Sequence, residues 1–139
     1  MSAYVPGFCQ VGRGAALVNV TVTIPVDAAG AISTAPQSFV VPAAVCNASA
    51  SVTLRSAQGG AKIAGDAKGT DGKVDYIATA SFGGAGASAN TASSNSGAAR
   101  TSQPAKGTVT VTIEPLQPTQ PMLPLSAYTD TVTVMLLPQ

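Results

Sequence analysis

Three stretches of this 139-residue chain alternate apolar and polar residues with a period of two: "LVNVTVTI" at 17–24, "TVTVTI" at 108–113 and "TVTVML" at 131–136. Successive side chains of an extended strand point to opposite faces, so this pattern builds strands with one dry and one wet face. In the first stretch Val18, Val20, Val22 and Ile24 share a face, and Asn19, Thr21 and Thr23 share the other. Val109, Val111 and Ile113 repeat the apolar face in the second, and Val132, Val134 and Leu136 in the third. Val, Ile and Thr suit a pleated, half-buried surface, and the three dry faces are expected to line one core.

Weaker strand signals lie at 37–41, at 45–56, at 73–82 and, in a short form, at 61–64. In the second of these, Cys46, Ala48, Ala50, Val52 and Leu54 are expected to point one way, which puts the cysteine on an inward face. Turn chemistry separates the strands at Asp27 to Gly30, Gly59-Gly60 and Asp71-Gly72, the last a tight-hairpin signal. No stretch has sustained helical periodicity. About seven short strands with few helices predict an all-β, immunoglobulin-like β-sandwich, and 139 residues suit a single domain spanning 1–139.

Two segments fall outside the strand pattern. Residues 83–107, "GGAGASANTASSNSGAARTSQPAKG", have too little apolar bulk to repay ordering and are expected to form a long, low-complexity loop. The alternative is a set of short irregular strands packed through small residues. In "EPLQPTQPMLPL" at 114–125 the prolines recur every three residues, which predicts a polyproline II connector between the last two long strands.

Composition removes several function classes. Only 9% of residues are charged and the formal net charge is +1, so no basic stripe able to displace counterions from a nucleic acid is expected. Lys62, Lys68 and Lys73 interleave with Asp66, Asp71 and Asp75 and read as solvated loop charges. Those aspartates loosely suggest a calcium loop but lack the alternating carboxylates and closing Glu of an EF-hand. No uninterrupted apolar run approaches the roughly 20 residues of a membrane helix. With no His, no paired carboxylates and no phosphate-binding loop, neither catalysis nor a bound cofactor or metal is expected.

Cys9 and Cys46 are the only cysteines. Without His or a short Cys spacing they make a poor zinc site, and a disulfide is the better reading. Two buried free thiols in a reducing compartment are the alternative. The opening "MSAYVPGF" lacks the basic and apolar regions of a signal peptide, so the chain is expected either to be a mature form with an added Met or not to be exported by that route. Asn-x-Ser/Thr sequons at Asn19 and Asn47 both fall in expected strands and read as chance.

The strongest terminal strand raises a question of pairing. In an immunoglobulin-like sandwich the final strand lies between its neighbour and the first strand. If 108–113 and 131–136 are the penultimate strands, the chain stops before the closing one and the sandwich is incomplete. The strand at 131–136 would then keep an open edge beside an apolar groove, a hazard unless a partner's extended peptide covers it.

The residues at both ends resemble a family. The segment "AVCNASASVTLRSAQGGA" at 44–61, with Cys9 placed 37 residues before Cys46, is similar to the cysteine-bridged first strands of chaperone–usher pilus subunits. The ending "LSAYTDTVTVMLLP" resembles their C-terminal strand and the closing motif of the spore coat protein U domain of archaic pili. The resemblance implies a sandwich lacking its last strand, filled first by a periplasmic chaperone, released by an usher, and then filled by the N-terminal extension of another fibre subunit or a further copy. It implies that Val132, Val134, Leu136, Val18, Val20 and Val22 wall the strand-acceptor groove, that Cys9 and Cys46 form the bridge, and that the chain is secreted through the periplasm to the cell surface. One departure is clear: only "MSAYVPGF" precedes Cys9, and Pro6 and Gly7 make it a poor donor strand. A longer tail, a subunit that accepts a strand without giving one, and a chain that pairs its own N-terminus against its last strand all fit.

The function expected on this basis is a non-catalytic structural subunit of a bacterial surface fibre or adhesive anchor. A virion surface or decoration protein is an alternative that explains a native Met1. A stand-alone secreted module for a glycan or protein ligand is another, although the absence of Trp removes the usual aromatic platform.

Overall fold

A computed structural model of the chain describes residues 7–12, 14, 16–63, 73–101, 103–118 and 124–138. Its strands, in chain order, are β1 (Cys9–Val11), β2 (Leu17–Pro25), β3 (Gln37–Cys46), β4 (Ala50–Ser56), β5 (Lys62–Ile63), β6 (Tyr76–Phe82), β7 (Ala85–Asn90), β8 (Ser96–Arg100), β9 (Ala105–Pro115) and β10 (Ala127–Pro138). They form a β-sandwich of two antiparallel sheets. One has the order β1-β3-β9-β6-β7, and the other β2-β10-β4-β8 with β5 also paired to β10. The described residues contain no helix.

The alternating stretches become β2, β9 and β10, and their dry faces meet in one core as expected. Val18, Val20, Val22, Ile24, Val109, Val111, Ile113, Val132, Val134 and Leu136 are all buried. Because β9 lies in one sheet and β2 and β10 in the other, these faces pack across the sandwich.

Two expectations about segments are corrected. The strand expected at 45–56 is broken: β3 ends at Cys46 in one sheet, the chain bends at 47–49, and β4 begins at Ala50 in the other. Asn47 holds this corner, its Oδ1 accepting from the Phe8 N–H at 2.6 Å while its own N–H donates to the Phe8 carbonyl at 3.1 Å. Asn47 therefore lies in a bend, and only Asn19 sits within a strand.

The low-complexity stretch 83–107 is the second correction, since it carries β7, β8 and the start of β9. Gly83 and Gly84 both have positive φ, 59° and 85°, and make the two-residue turn of the β6–β7 hairpin in which Phe82 faces Ala85. Ala85, Ala87 and Ala89 then alternate inward and are buried. Small residues are required because β7 and β8, at neighbouring edges of the two sheets, approach at backbone distance. A Cβ on Gly97 would lie 2.0 Å from the Ser88 carbonyl oxygen. The segment gives little apolar area per residue but closes that flank of the sandwich.

The Asp71-Gly72 turn, Asp66 and residues 119–123 of the polyproline stretch lie outside the described residues.

Candidate functional site

The register of β10 settles where an incoming strand could pair. β10 runs antiparallel to β2 from Ala127 opposite Pro25 to Met135 opposite Leu17. Its other side pairs with β4 from Val132 to Pro138 and with β5 at Tyr128 and Thr129. The terminal strand is central, and its expected open edge is corrected: both sides are occupied within the chain. The strand that covers one of these sides along most of its length is β2.

The six residues expected to wall an acceptor groove lie on two directly paired strands. Val20 faces Val132, Val18 faces Val134, and Val22 faces Asp130. No slot separates these strands, and all six are buried under the opposite sheet. Cys9 and Cys46 lie directly opposite each other in the β1–β3 ladder and are disulfide-bonded. The bridge ties the start of the chain to the end of β3 and is compatible with an oxidising, extracytoplasmic compartment.

Among the described residues, the unpaired edge lies one strand further out. The Ala16 carbonyl accepts from Leu136 N–H and Val26 N–H donates to the Ser126 carbonyl, so the even-numbered backbone groups of this segment face β10. The odd-numbered groups of Asn19, Thr21 and Thr23 therefore face away. Of these, the Thr23 carbonyl accepts from Gln37 Nε2 at 3.1 Å. β2 is nine residues long and carries no charge. The other edge strands are shorter: three residues in β1, six in β7 and five in β8. Short length, charge and bulges are the usual protections of an edge, and β2 has none of them before Pro25.

Sequence periodicity did not find the buried polar cluster at the middle of β10. Asp130, 2% exposed, accepts from Ser56 Oγ and from Tyr76 OH through Oδ2, and from Gln58 N–H (3.1 Å) and Thr131 N–H (2.7 Å) through Oδ1. Ser56 Oγ in turn accepts from Gly59 N–H at 2.9 Å. β4 leaves β10 after Ser56 and β5 rejoins it at Lys62, so the carboxylate bonds the intervening loop where the ladder is interrupted. Burial, and then the Asp130 carboxylate that its hydroxyl serves, hold the Tyr76 phenol far above its ordinary pKa, so it remains a neutral donor. The signal was present in "YTDTVTV": Asp130 has the parity of Val132 and Val134 and thus had to point inward. With all its acceptor oxygens engaged and its members buried, the cluster joins sheets and presents no reactive group to solvent.

Asp75 is also engaged, bonded by Thr91 Oγ1 at 2.8 Å and paired with Lys73 at 3.2 Å. Among the described residues no group of three or more His, Cys, Asp or Glu is placed to hold a metal ion. No helix among them is long and apolar enough to cross a membrane.

No protein-family model matches this chain, and no curated protein or solved structure matches it either.

Proposed function

We infer that this chain is a non-catalytic structural subunit of an extracytoplasmic bacterial assembly, a surface fibre or adhesive anchor, joined to its neighbours by strand addition. The reading takes its biological setting from the resemblance of both chain ends to pilus subunits. Its physical support is the outer edge of β2, where a long, regular, uncharged strand leaves the backbone groups of Asn19 and Thr21 facing away from β10. An extended segment of another subunit, with apolar residues at alternate positions, would continue the sheet there and extend the Val face. Strand addition at β2 replaces insertion beside β10, because β2 already occupies that place. Immunoglobulin-like kinship and handling by a chaperone and usher belong to this same proposal.

A second reading, a self-contained secreted module or decoration protein, is favoured by one observation: the terminal strand is closed on both sides within the chain. Amide exchange separates the two. A peptide with alternating Val and Thr should slow exchange at Asn19 and Thr21 and raise the melting temperature by mass action. If those amides keep exchanging freely at millimolar peptide, strand addition at β2 is wrong and the self-contained reading stands.

A further inference from the structure

The outer face of the β2-β10-β4-β8 sheet carries cations in a line. Lys62 lies directly opposite Thr129 and Arg55 directly opposite Thr133. Arg100 lies opposite Ser51, which is itself opposite Leu137. Residues directly opposite in a ladder share a face, so all three cations project outward, Lys62 and Arg55 from strands beside β10 and Arg100 from one strand further out, at the levels of β10 residues 129, 133 and 137. At about 3.3 Å per residue those levels are about 13 Å apart, giving an evenly spaced stripe about 26 Å long. None of the three has an ion-pair partner among the described residues, where the sole salt bridge is Lys73–Asp75.

The described acids are placed elsewhere. Asp27 sits in the loop after β2, where it accepts from Ala29 and Ala31 N–H. Asp75 is paired with Lys73, Glu114 lies on the outer face of the other sheet, and Asp130 points into the core. Every other outward side chain of this face is Thr, Ser, Asn, Ala, Pro, Leu or Met. At the centre of the stripe the surface is concave. A site of about 540 Å³ around Arg55 is lined by Thr53, Ser96, Ala98, Thr133 and Met135; within it Thr53 Oγ1 donates to the Met135 carbonyl at 3.3 Å and Thr133 Oγ1 to Asn19 Oδ1 at 2.8 Å.

We propose that this face binds a linear acidic polysaccharide, with uronate carboxylates on the Arg100–Arg55–Lys62 stripe and one sugar residue seated in the hollow at Arg55. The guanidinium offers a paired donor set to a carboxylate, the Ser96 hydroxyl meets a sugar hydroxyl, and Met135, 37% exposed, meets the C–H face of the ring. A regular stripe of single charges suits a polymer with one carboxylate per residue, and the face has no aromatic side chain on which nucleic-acid bases could stack. The site lies on the sheet face, so it is independent of strand addition at the β2 edge.

The test uses the whole chain and fluorescent oligogalacturonate in low salt, followed by anisotropy, with two-dimensional NMR to place the contact. Saturable binding is expected, with shifts at Thr53, Ser96 and Thr133. Arg55→Gln should weaken it about tenfold, and Arg55→Gln with Arg100→Gln should abolish it, while Lys106→Gln on the opposite sheet leaves it unchanged. Equal losses from Lys106→Gln, or equal affinity for a single-stranded oligonucleotide of matched charge, would reduce the effect to general electrostatics and overturn the proposal. Tighter binding of heparin than of oligogalacturonate would overturn the assignment to carboxylates. Unaltered melting curves for the Gln variants are expected, since both side chains are exposed and have no ion-pair partner among the described residues.

Discussion

The phenol of Tyr76 on β6 donates to Asp130 Oδ2 on β10 at 2.5 Å, and in doing so joins the two sheets of the sandwich through a fully buried bond. The aromatic-Thr-Asp-Thr lead into the last strand thus has a structural purpose. Tyr128 and Asp130 both point inward, and the carboxylate holds Ser56, Tyr76 and the loop that follows β4.

Removing either partner should be costly and the costs should not add. Tyr76→Phe is expected to destabilise the protein by about 1–3 kcal/mol, because a buried carboxylate loses a donor. Asp130→Ala should cost about 3–5 kcal/mol, since it strands several buried donors. Urea unfolding of both single variants and the double variant checks this, and a coupling energy near zero would mean that the bond joins nothing.

The same pair sets an alkaline limit. The folded state raises the Tyr76 pKa above its ordinary value of 10.0, so the unfolded chain loses that proton first. Stability from this group is complete below pH 10.0 and declines as pH rises beyond it. Absorbance at 295 nm should therefore report Tyr76 ionisation only together with unfolding, and Tyr76→Phe should remove that coupled step.

Cys9 and Cys46 close a loop with a sequence separation of 37 residues. On the chain-entropy model the bond stabilises by about 4 kcal/mol, a large term for a domain with few aromatics. Thiol titration of the denatured, unreduced protein should find no free thiol, and a reductant should lower the urea midpoint. Two titratable thiols in oxidised protein would remove the bridge.

At the flank closed by β7 and β8, Gly97→Ala drives a methyl into the Ser88 carbonyl and should cost about 1–3 kcal/mol. Gly86→Ala, which meets nothing within 4 Å, should be close to neutral by the same melting measurement. Equal effects would mean that β8 does not approach β7 this closely.

Amide exchange in the isolated chain reads the position of β10 directly. Amides at 131–136 should be strongly protected without any partner, while those of Asn19 and Thr21 exchange early despite lying in a regular strand. Rapid exchange along 131–136 would restore the open terminal edge.

Much of this sandwich was legible in the sequence. The period-two stretches identify β2, β9 and β10 and assign each side chain to a face, because parity is a local property of extended backbone. The disulfide was legible from two cysteines without other ligands. Asp130 could have been marked as an inward carboxylate on parity alone. What encloses it could not, since Ser56 and Tyr76 are 74 and 54 residues away in the chain.

Tertiary structure decided which strands are neighbours. β2 and β10 carry the same pattern as β9, and alternation alone cannot say that the first two pair while the third faces them across the core. That choice made the last strand central and moved the unpaired edge to β2. It also turned the alanines of 85–89 from loop filler into core, because burial there depends on how closely β8 approaches. The cation stripe has the same origin: Arg100, Arg55 and Lys62 are scattered in sequence and align only because β4 and β5 pair with β10 and β8 pairs with β4. Local periodicity selects faces, whereas order within a sheet is set by long-range ladder pairing and packing.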